Sequence, residues 1–245
     1  VDFSVVANDV KSFGYHYLTE IDHMFRASDY LVSPLNTPDK FINGEYFLTP
    51  AQEQIQRKII KDILSHSGYG FFSLTGKPGT GKTLLLYDVA KKLSEINKTL
   101  VIHCGKLSEG QERLNKSIKN FHVVAAGYLK YRPEIIHDYN FILVDETHRI
   151  YPEHYDEICD LVMRDNKICI FSSDPEQVLS SAEKRNGIVQ KINLLPLIGK
   201  YELSEKIRTN KELASFIISV RNLKKKPLIP MDYGNVTLSY ANNYE

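Results

Sequence analysis

The chain has 245 residues, of which 31 are basic and 30 acidic, so its net charge at neutral pH is +1. Hydrophobic residues make up 42% and charged residues 25%, as in ordinary globular proteins, which excludes a disordered, collagen-like or coiled-coil chain. The charge balance excludes the strongly basic composition of a protein that coats DNA, but not a local basic groove.

Cysteine usage and hydropathy both indicate a reduced, cytoplasmic location. Cys104, Cys159 and Cys169 are scattered and form no C-x-x-C pair, so the sequence predicts neither a disulfide framework nor a zinc site. No apolar run approaches the roughly 18 residues that a membrane-spanning helix needs, and the N-terminus has no signal-peptide pattern. We therefore expect no membrane partner.

Residues 1–47 are predicted to form an N-terminal extension of helix and loop. Phe13, Tyr17 and Ile21 recur at helical spacing and predict one amphipathic helix. The stretch Ser33–Gly44, which contains two prolines, is predicted to be a loop.

Short apolar runs alternate with amphipathic stretches across residues 48–223. The predicted strands are Phe71–Thr75, Thr99–Cys104, His122–Ala125, Phe141–Val144 and Lys167–Ser172. Most of these runs are continuously apolar, which is typical of strands buried on both faces. Thr83–Ser94 and Glu153–Arg164 show helical periodicity. This alternation predicts an α/β domain whose mainly parallel central sheet is flanked by helices.

Residues 224–245 are predicted to be a linker followed by the first strand of a truncated second lobe. A basic helix end, Leu223–Pro227, precedes a further proline, and Val236–Tyr240 then alternates like a half-exposed strand.

A phosphate-binding loop is the most specific motif in the chain. Gly76–Thr83 matches G-x-x-x-x-G-K-[ST] between a predicted strand and a predicted helix. Its glycines allow backbone amides to converge on phosphate oxygens, and the helix N-terminus adds a positive dipole end. Lys82 is predicted to reach the β- and γ-phosphates of ATP, and the Thr83 hydroxyl to bind Mg²⁺. The predicted nucleotide contacts of the loop are Gly76, Gly79, Thr80, Gly81, Lys82 and Thr83.

Two acidic residues follow the predicted strand Phe141–Val144 directly. A phosphate-binding loop needs a carboxylate at the end of a nearby strand, and Asp145 is predicted to hold Mg²⁺, through water. Glu146 is predicted to take a proton from the attacking water as general base. The alternative is that both acids only begin a helix, where the helix dipole favours them.

The motifs around these two sites resemble those of superfamily 1 helicases. Asp145–Arg149 resembles the D-E-x-H/Q box, and Leu48–Gln52 resembles the L-T-x-x-Q element before the phosphate loop. Ser173–Gln177 is similar to the third motif, G-D-x-x-Q, and Glu205–Asn210 to the fourth. Together with the acid box, Val101–Gly105 is most similar to the bacterial Schlafen-group-3-type DNA/RNA helicase domain.

This resemblance implies a RecA-like P-loop NTPase lobe with ATP and Mg²⁺ as cofactors. Gln52 would hydrogen-bond the adenine edge, and Gln177 would sense the γ-phosphate. Arg208 would contact the γ-phosphate and stabilise transition-state charge. His148 would couple the nucleotide site to bound nucleic acid. The implied partners are single-stranded DNA or RNA and a second RecA-like lobe of the same polypeptide, while the oligomeric state is not predicted.

The same residues also have simpler interpretations. Thr49–Gln52 and Asp174–Gln177 both have the form of a capping box with proline at the first helical position, so each glutamine could bond back to its own helix. Arg208 could be a solvated basic residue, and His148 and Arg149 could form a surface pair.

Two positions depart from the family pattern. Ile207 replaces an aromatic residue that usually stacks on adenine, and Tyr46 or Phe47 is a candidate replacement. Ser173 replaces the usual glycine of the third motif. For nucleic acid, the best basic and aromatic cluster is Lys130–Arg132 with Tyr128, although a solvated loop is the alternative.

The sequence therefore predicts ATP binding and Mg²⁺-dependent hydrolysis in the first motor lobe of a nucleic-acid helicase or translocase. The alternative is a nucleotide-gated switch or scaffold, in a regulatory or defence complex, that does not translocate. A third possibility, suggested by the two departures, is an ATPase that has lost hydrolysis. The predicted catalytic residues are Lys82, Asp145, Glu146, Gln177 and Arg208, and the predicted metal ligands are Thr83 and Asp145.

Overall fold

Six parallel strands form the central sheet of the computed structural model, which describes residues 32–174 and 186–204. The sheet has the order β3-β2-β4-β5-β1-β6, and every neighbouring pair is parallel. The strands are β1 (Gly70–Gly76), β2 (Thr99–His103), β3 (Phe121–Ala125), β4 (Phe141–Asp145), β5 (Ile168–Ser173) and β6 (Leu197–Leu203). The predicted α/β fold with a mainly parallel sheet is confirmed.

Helices connect the strands and cover the sheet, as parallel pairing requires. They are α1 (Pro38–Asn43), α2 (Pro50–Ser65), α3 (Lys82–Ser94), α4 (Glu109–Ser117), α5 (Pro152–Arg164) and α6 (Ile188–Leu194). Three 3₁₀ helices cover Ala126–Lys130, Pro133–Asp138 and Thr147–Arg149. The predicted helices Thr83–Ser94 and Glu153–Arg164 are confirmed as α3 and α5, each beginning one residue earlier than expected.

The core has two halves because successive side chains of a strand point to opposite faces of the sheet. On β1, Phe72 packs with residues of α2 and α3 on one face. Its neighbour Phe71 packs with residues of α5 and α6 on the other face. Both rings are fully buried, which explains why this strand is continuously apolar in sequence.

The loop predicted for Ser33–Gly44 is wrong over α1. Pro38 takes the first helical position, where its missing N–H costs nothing, and Phe41 on the same short helix is fully buried. Gly44 ends the helix with φ +76°, the left-handed conformation that glycine adopts at helix ends. A buried aromatic residue therefore holds a helix that is too short to show periodicity.

The segment that contains α1 is anchored to α3 by polar bonds. Tyr46 Oη and Gln56 Nε2 both donate to the buried carboxylate of Asp88. Lys91 Nζ donates to the Phe41 carbonyl at 2.9 Å, and burial lowers the pKa of Lys91. The helix that follows the phosphate loop is thus braced by the segment that contains α1 and by Gln56 of α2.

Three predicted segments lie outside the described residues: the N-terminal amphipathic helix, the 224–245 linker and the strand Val236–Tyr240. The domain boundaries at 47 and 223 stay predictions. Among the helices within 32–174 and 186–204, none has the length and apolar character needed to cross a membrane.

Candidate nucleotide site

The predicted phosphate loop lies between β1 and α3, with the backbone that such a loop needs. Gly79 has φ +80° and Gly81 has φ +82°, in the left-handed region that favours glycine. At Gly76, an added Cβ would lie 2.8 Å from both the Leu203 carbonyl oxygen and Thr80 Oγ1. Glycine is therefore required at Gly76 for space, and at the other two positions for conformation.

Lys82, the first residue of α3, is folded back over the loop. Its ammonium Nζ donates to the Gly76 carbonyl at 2.7 Å and to the Lys77 carbonyl at 3.1 Å. Asp174 Oδ2, just beyond β5, lies 3.6 Å from the same nitrogen. Both side chains are buried, so the opposite charges offset part of the cost of burying each other.

Gln52 joins α2 to the phosphate loop while it caps its own helix. Its Oε1 accepts from the Thr49 amide at 3.0 Å, so the capping box is confirmed. Its Nε2 donates to the Thr80 carbonyl at 3.2 Å, and the side chain is only 2% exposed. Gln52 therefore supports the loop in this structure, and its contact with adenine stays a prediction.

Asp145 ends β4 with its carboxylate buried. Its Oδ1 accepts from the Glu146 amide at 3.1 Å, whereas Oδ2 has no hydrogen-bond partner among the described residues. A buried carboxylate oxygen without a partner is costly, and a hydrated cation beside the loop would satisfy it. Thr83, half-buried in the first turn of α3, has the hydroxyl that such a site uses.

Glu146 has both an unusual backbone and a perturbed charge. Its φ of +55° and ψ of +39° are left-handed. Burial and the Asp145 carboxylate raise its pKa above the usual range, against the lowering influence of Lys82 and Arg149. The 3₁₀ helix that follows has three residues, and the Glu146 side chain makes no capping hydrogen bond to it. The alternative of two acids that merely begin a helix is therefore not supported.

His148 is buried between Glu146 and the end of β5. Its Nδ1 accepts from the Asp174 amide at 3.3 Å, so the neutral ring carries its proton on Nε2. That nitrogen lies 3.5 Å from Glu146 Oε2. Since His148 is 2% exposed, the alternative of a surface pair with Arg149 is wrong for the histidine.

The family comparison agrees with this geometry. A family model described as AAA domain matches residues 51–226, well over half of the chain. The chain belongs to the AAA domain family. This membership, the loop and the parallel sheet together confirm a RecA-like P-loop NTPase fold, so a nucleotide is the ligand that this site accommodates.

Two solved structures resemble this AAA domain weakly. The flagellar accessory protein FlaH of Methanocaldococcus jannaschii is 15% identical over 56% of this chain and 72% of that one, with a TM-score of 0.40. The Hef helicase domain of Pyrococcus furiosus is 12% identical over 64% of this chain and 38% of that one, with a TM-score of 0.44. No curated protein sequence matches the chain.

The AAA domain brings most of its predicted site residues together. Lys82 at the start of α3 and the adjacent pair Asp145 and Glu146 at the end of β4 come from two segments and interact electrostatically or through direct bonds. Gln177 and Arg208 lie outside the described residues, so their roles stay predictions. Sequence reasoning missed the carboxylate of Asp174 as a partner of Lys82, because only the pairing of β1 with β5 reveals that they are close.

The aromatic residues that are candidates for stacking on a base differ in what they can do. Tyr46 bonds Asp88 and stacks on Phe41 with ring centroids 5.1 Å apart, which commits its ring to the fold. Phe47 is 64% exposed. Tyr131 is 77% exposed, and the Lys130 ammonium lies 5.9 Å from its ring centroid.

Proposed function

We propose that this AAA domain binds ATP together with Mg²⁺ and hydrolyses it. The observation that carries the proposal is the placement of Glu146, whose carboxylate is largely buried beside Asp145 and within electrostatic reach of Lys82 on the phosphate loop. When bound by Thr83 and Asp145, Mg²⁺ would neutralise charge on the β- and γ-phosphates. Asp145 Oδ2, which is buried and has no hydrogen-bond partner within 32–174 and 186–204, fits that group.

In this proposal, the residues of the loop bind the triphosphate and the acid box activates water. Backbone amides from Gly79 to Thr83 bind phosphate oxygens, and Lys82 exchanges its carbonyl contacts for the γ-phosphate. Glu146 then accepts a proton from the attacking water, and its raised pKa makes it a stronger base than an exposed carboxylate. Gln177 and Arg208 complete the γ-phosphate contacts.

We further propose that the domain is the first motor lobe of a nucleic-acid helicase or translocase. The ordered motifs from Leu48–Gln52 to Glu205–Asn210 support this proposal. Single-stranded DNA or RNA and a second RecA-like lobe are its proposed partners. The exposed cluster of Tyr131 and Lys130 follows β3 on the sheet edge that also holds Asp145, which suits a strand-binding role. The narrower Schlafen-group-3-type resemblance stays a prediction.

Steady-state ATP turnover, with and without single-stranded DNA or RNA, tests both parts. We expect wild-type protein to hydrolyse ATP several-fold faster with strand, and Lys82→Ala to show only background turnover. A turnover rate that does not change when single-stranded DNA or RNA is added would favour the nucleotide-gated switch over the motor. Nucleotide binding without hydrolysis would indicate an ATPase that has lost its chemistry, and indistinguishable wild-type and Lys82→Ala rates would refute ATP hydrolysis here.

A further inference from the structure

His103 stands beside the proposed magnesium carboxylate. It ends β2, and its register partner on β4 is Asp145. Its side chain is 14% exposed, and its Nδ1 lies 3.4 Å from Asp145 Oδ2. The backbone of the next residue reaches the same place, because the Cys104 amide donates to the Asp145 carbonyl at 3.1 Å. The end of β2 is therefore built around Asp145.

Both atoms of this pair are buried and have no hydrogen-bond partner among the described residues. A normal N–H···O bond is about 2.9–3.0 Å long, so a shift of roughly half an ångström would form one here. The second oxygen, Oδ1, already accepts from the Glu146 amide. A bond from His103 would thus hold both carboxylate oxygens while leaving lone pairs for water or a cation.

Gly105 leaves space for the imidazole ring. A Cβ added at Gly105 would lie 2.8 Å from His103 Nε2, closer than real Cβ contacts allow. The ring is therefore enclosed between Gly105 on one side and Asp145 on the other. This enclosure limits the orientations from which Nδ1 can meet the carboxylate.

We propose that His103 is a positioning residue, whose Nδ1–H donates to Asp145 Oδ2 and orients that carboxylate toward a magnesium–nucleotide complex. The inference rests on the proposed function, since it requires Asp145 to hold the cation. Hydrogen-bond partners of metal-binding residues orient them, and their loss typically lowers metal affinity about 10- to 100-fold.

Mn²⁺ is the probe that tests this role, because electron paramagnetic resonance counts free Mn²⁺ without relying on turnover. Titrations use the full chain saturated with a non-hydrolysable ATP analogue. We expect His103→Phe to weaken Mn²⁺ binding about 10-fold or more. His103→Asn, whose amide nitrogen can replace Nδ1 as donor, should restore most of the loss. His122→Phe is the matched control, because the Nδ1 atom of His122 is hydrogen-bonded to Tyr139 Oη at 2.6 Å, away from Asp145.

Gly105→Ala provides an independent route to the same effect, since the added methyl group displaces the ring. It should weaken Mn²⁺ binding as His103→Phe does, while affinity for the analogue in EDTA stays within about two-fold of wild type. The positioning role is wrong if His103→Phe binds Mn²⁺ as tightly as wild type does. It is also wrong if the affinity for the ATP analogue measured in EDTA falls as much as the affinity for Mn²⁺. Failure of wild-type protein to bind the analogue at all would overturn the proposed function itself.

Discussion

Glu146 combines an unfavourable backbone conformation with a costly charge. A left-handed conformation in a residue other than glycine typically costs about 1–3 kcal/mol, and Glu146 has φ +55°. Burial and Asp145 also raise its pKa, so the ionised form is disfavoured in the folded protein. Strain and a perturbed carboxylate at one residue are typical of a site kept for chemistry rather than stability.

Replacing Glu146 by glutamine keeps its size and removes its ability to accept a proton. We expect ATP turnover to fall about 100- to 10,000-fold, the usual contribution of a general base, while nucleotide affinity changes little. Single-turnover hydrolysis and equilibrium binding of an ATP analogue measure the two effects separately. A variant that retains more than a tenth of wild-type turnover would contradict the assignment of Glu146 as base.

The same variant should change stability with a defined dependence on pH. The pKa of Glu146 in the folded protein lies above its unfolded value, which is about 4.3, so the folded protein binds the proton more tightly. Wild type therefore loses stability as the pH rises from the unfolded pKa through the folded pKa. Glu146→Gln should therefore be more stable than wild type at pH 7 without Mg²⁺, and the gain should shrink toward pH 4. Urea unfolding measures it, with Glu202→Gln on the exposed side of β6 as control.

Among the elements, α2 links secondary structure to the nucleotide site through one side chain. Gln52 satisfies the helix N-terminus with its oxygen and the Thr80 carbonyl with its nitrogen. An identical capping box begins α4, where Gln111 accepts from the Ser108 amide but donates to Tyr87 Oη at 2.7 Å. The two glutamines therefore cap their helices in the same way, whereas their nitrogens contact different groups.

Gln52→Glu should keep the cap and remove the bond to the phosphate loop, since glutamate also serves in a capping box. We expect affinity for ATP and for inorganic tripolyphosphate to fall equally, about tenfold, as expected for one lost hydrogen bond in a buried site. Isothermal titration with both ligands measures this. Gln111→Glu should leave tripolyphosphate affinity unchanged. If ATP binding weakens and tripolyphosphate binding does not, Gln52 reads adenine instead.

The elements that could be predicted are those whose signal is local. β1 to β5 are mostly apolar because both faces of the sheet are covered, and the phosphate loop is recognised from the spacing of its glycines within eight consecutive residues. β6 was missed because it pairs only with β1 among the described strands, so its burial alternates between half-buried and exposed until Tyr201. The contact of His103 with Asp145 depends on the register of β2 and β4, which no local pattern contains.

At the scale of the whole molecule, the candidate site collects side chains from the carboxyl ends of parallel strands. His103 and Asp145 end β2 and β4, Asp174 follows β5, and Lys82 follows the loop after β1. Open α/β sheets bind ligands outside this edge of the sheet. Residues of the same strands pack in both halves of the core. A ligand at this edge therefore binds a site that requires the folded core.

Nucleotide should therefore raise the free energy of global unfolding. A ligand that binds only the folded state stabilises it by RT ln(1 + [L]/Kd), about 2.7 kcal/mol at 100 times Kd. We expect an ATP analogue with Mg²⁺ to produce this shift in urea unfolding of the full chain. Lys82→Met should lose it, because the methionine stem fills the same space without the ammonium that binds phosphate.

Lys200→Met, on an exposed position of β6, is the control and should keep the full shift. An equal shift in Lys82→Met would mean that the analogue binds away from the phosphate loop. Because this measurement needs neither turnover nor nucleic acid, it tests nucleotide binding separately from both the motor and the switch. Wild type could show the shift in unfolding free energy while its ATP turnover is not stimulated by single-stranded DNA or RNA. That result would identify a nucleotide-binding domain whose binding is coupled to something other than movement along nucleic acid.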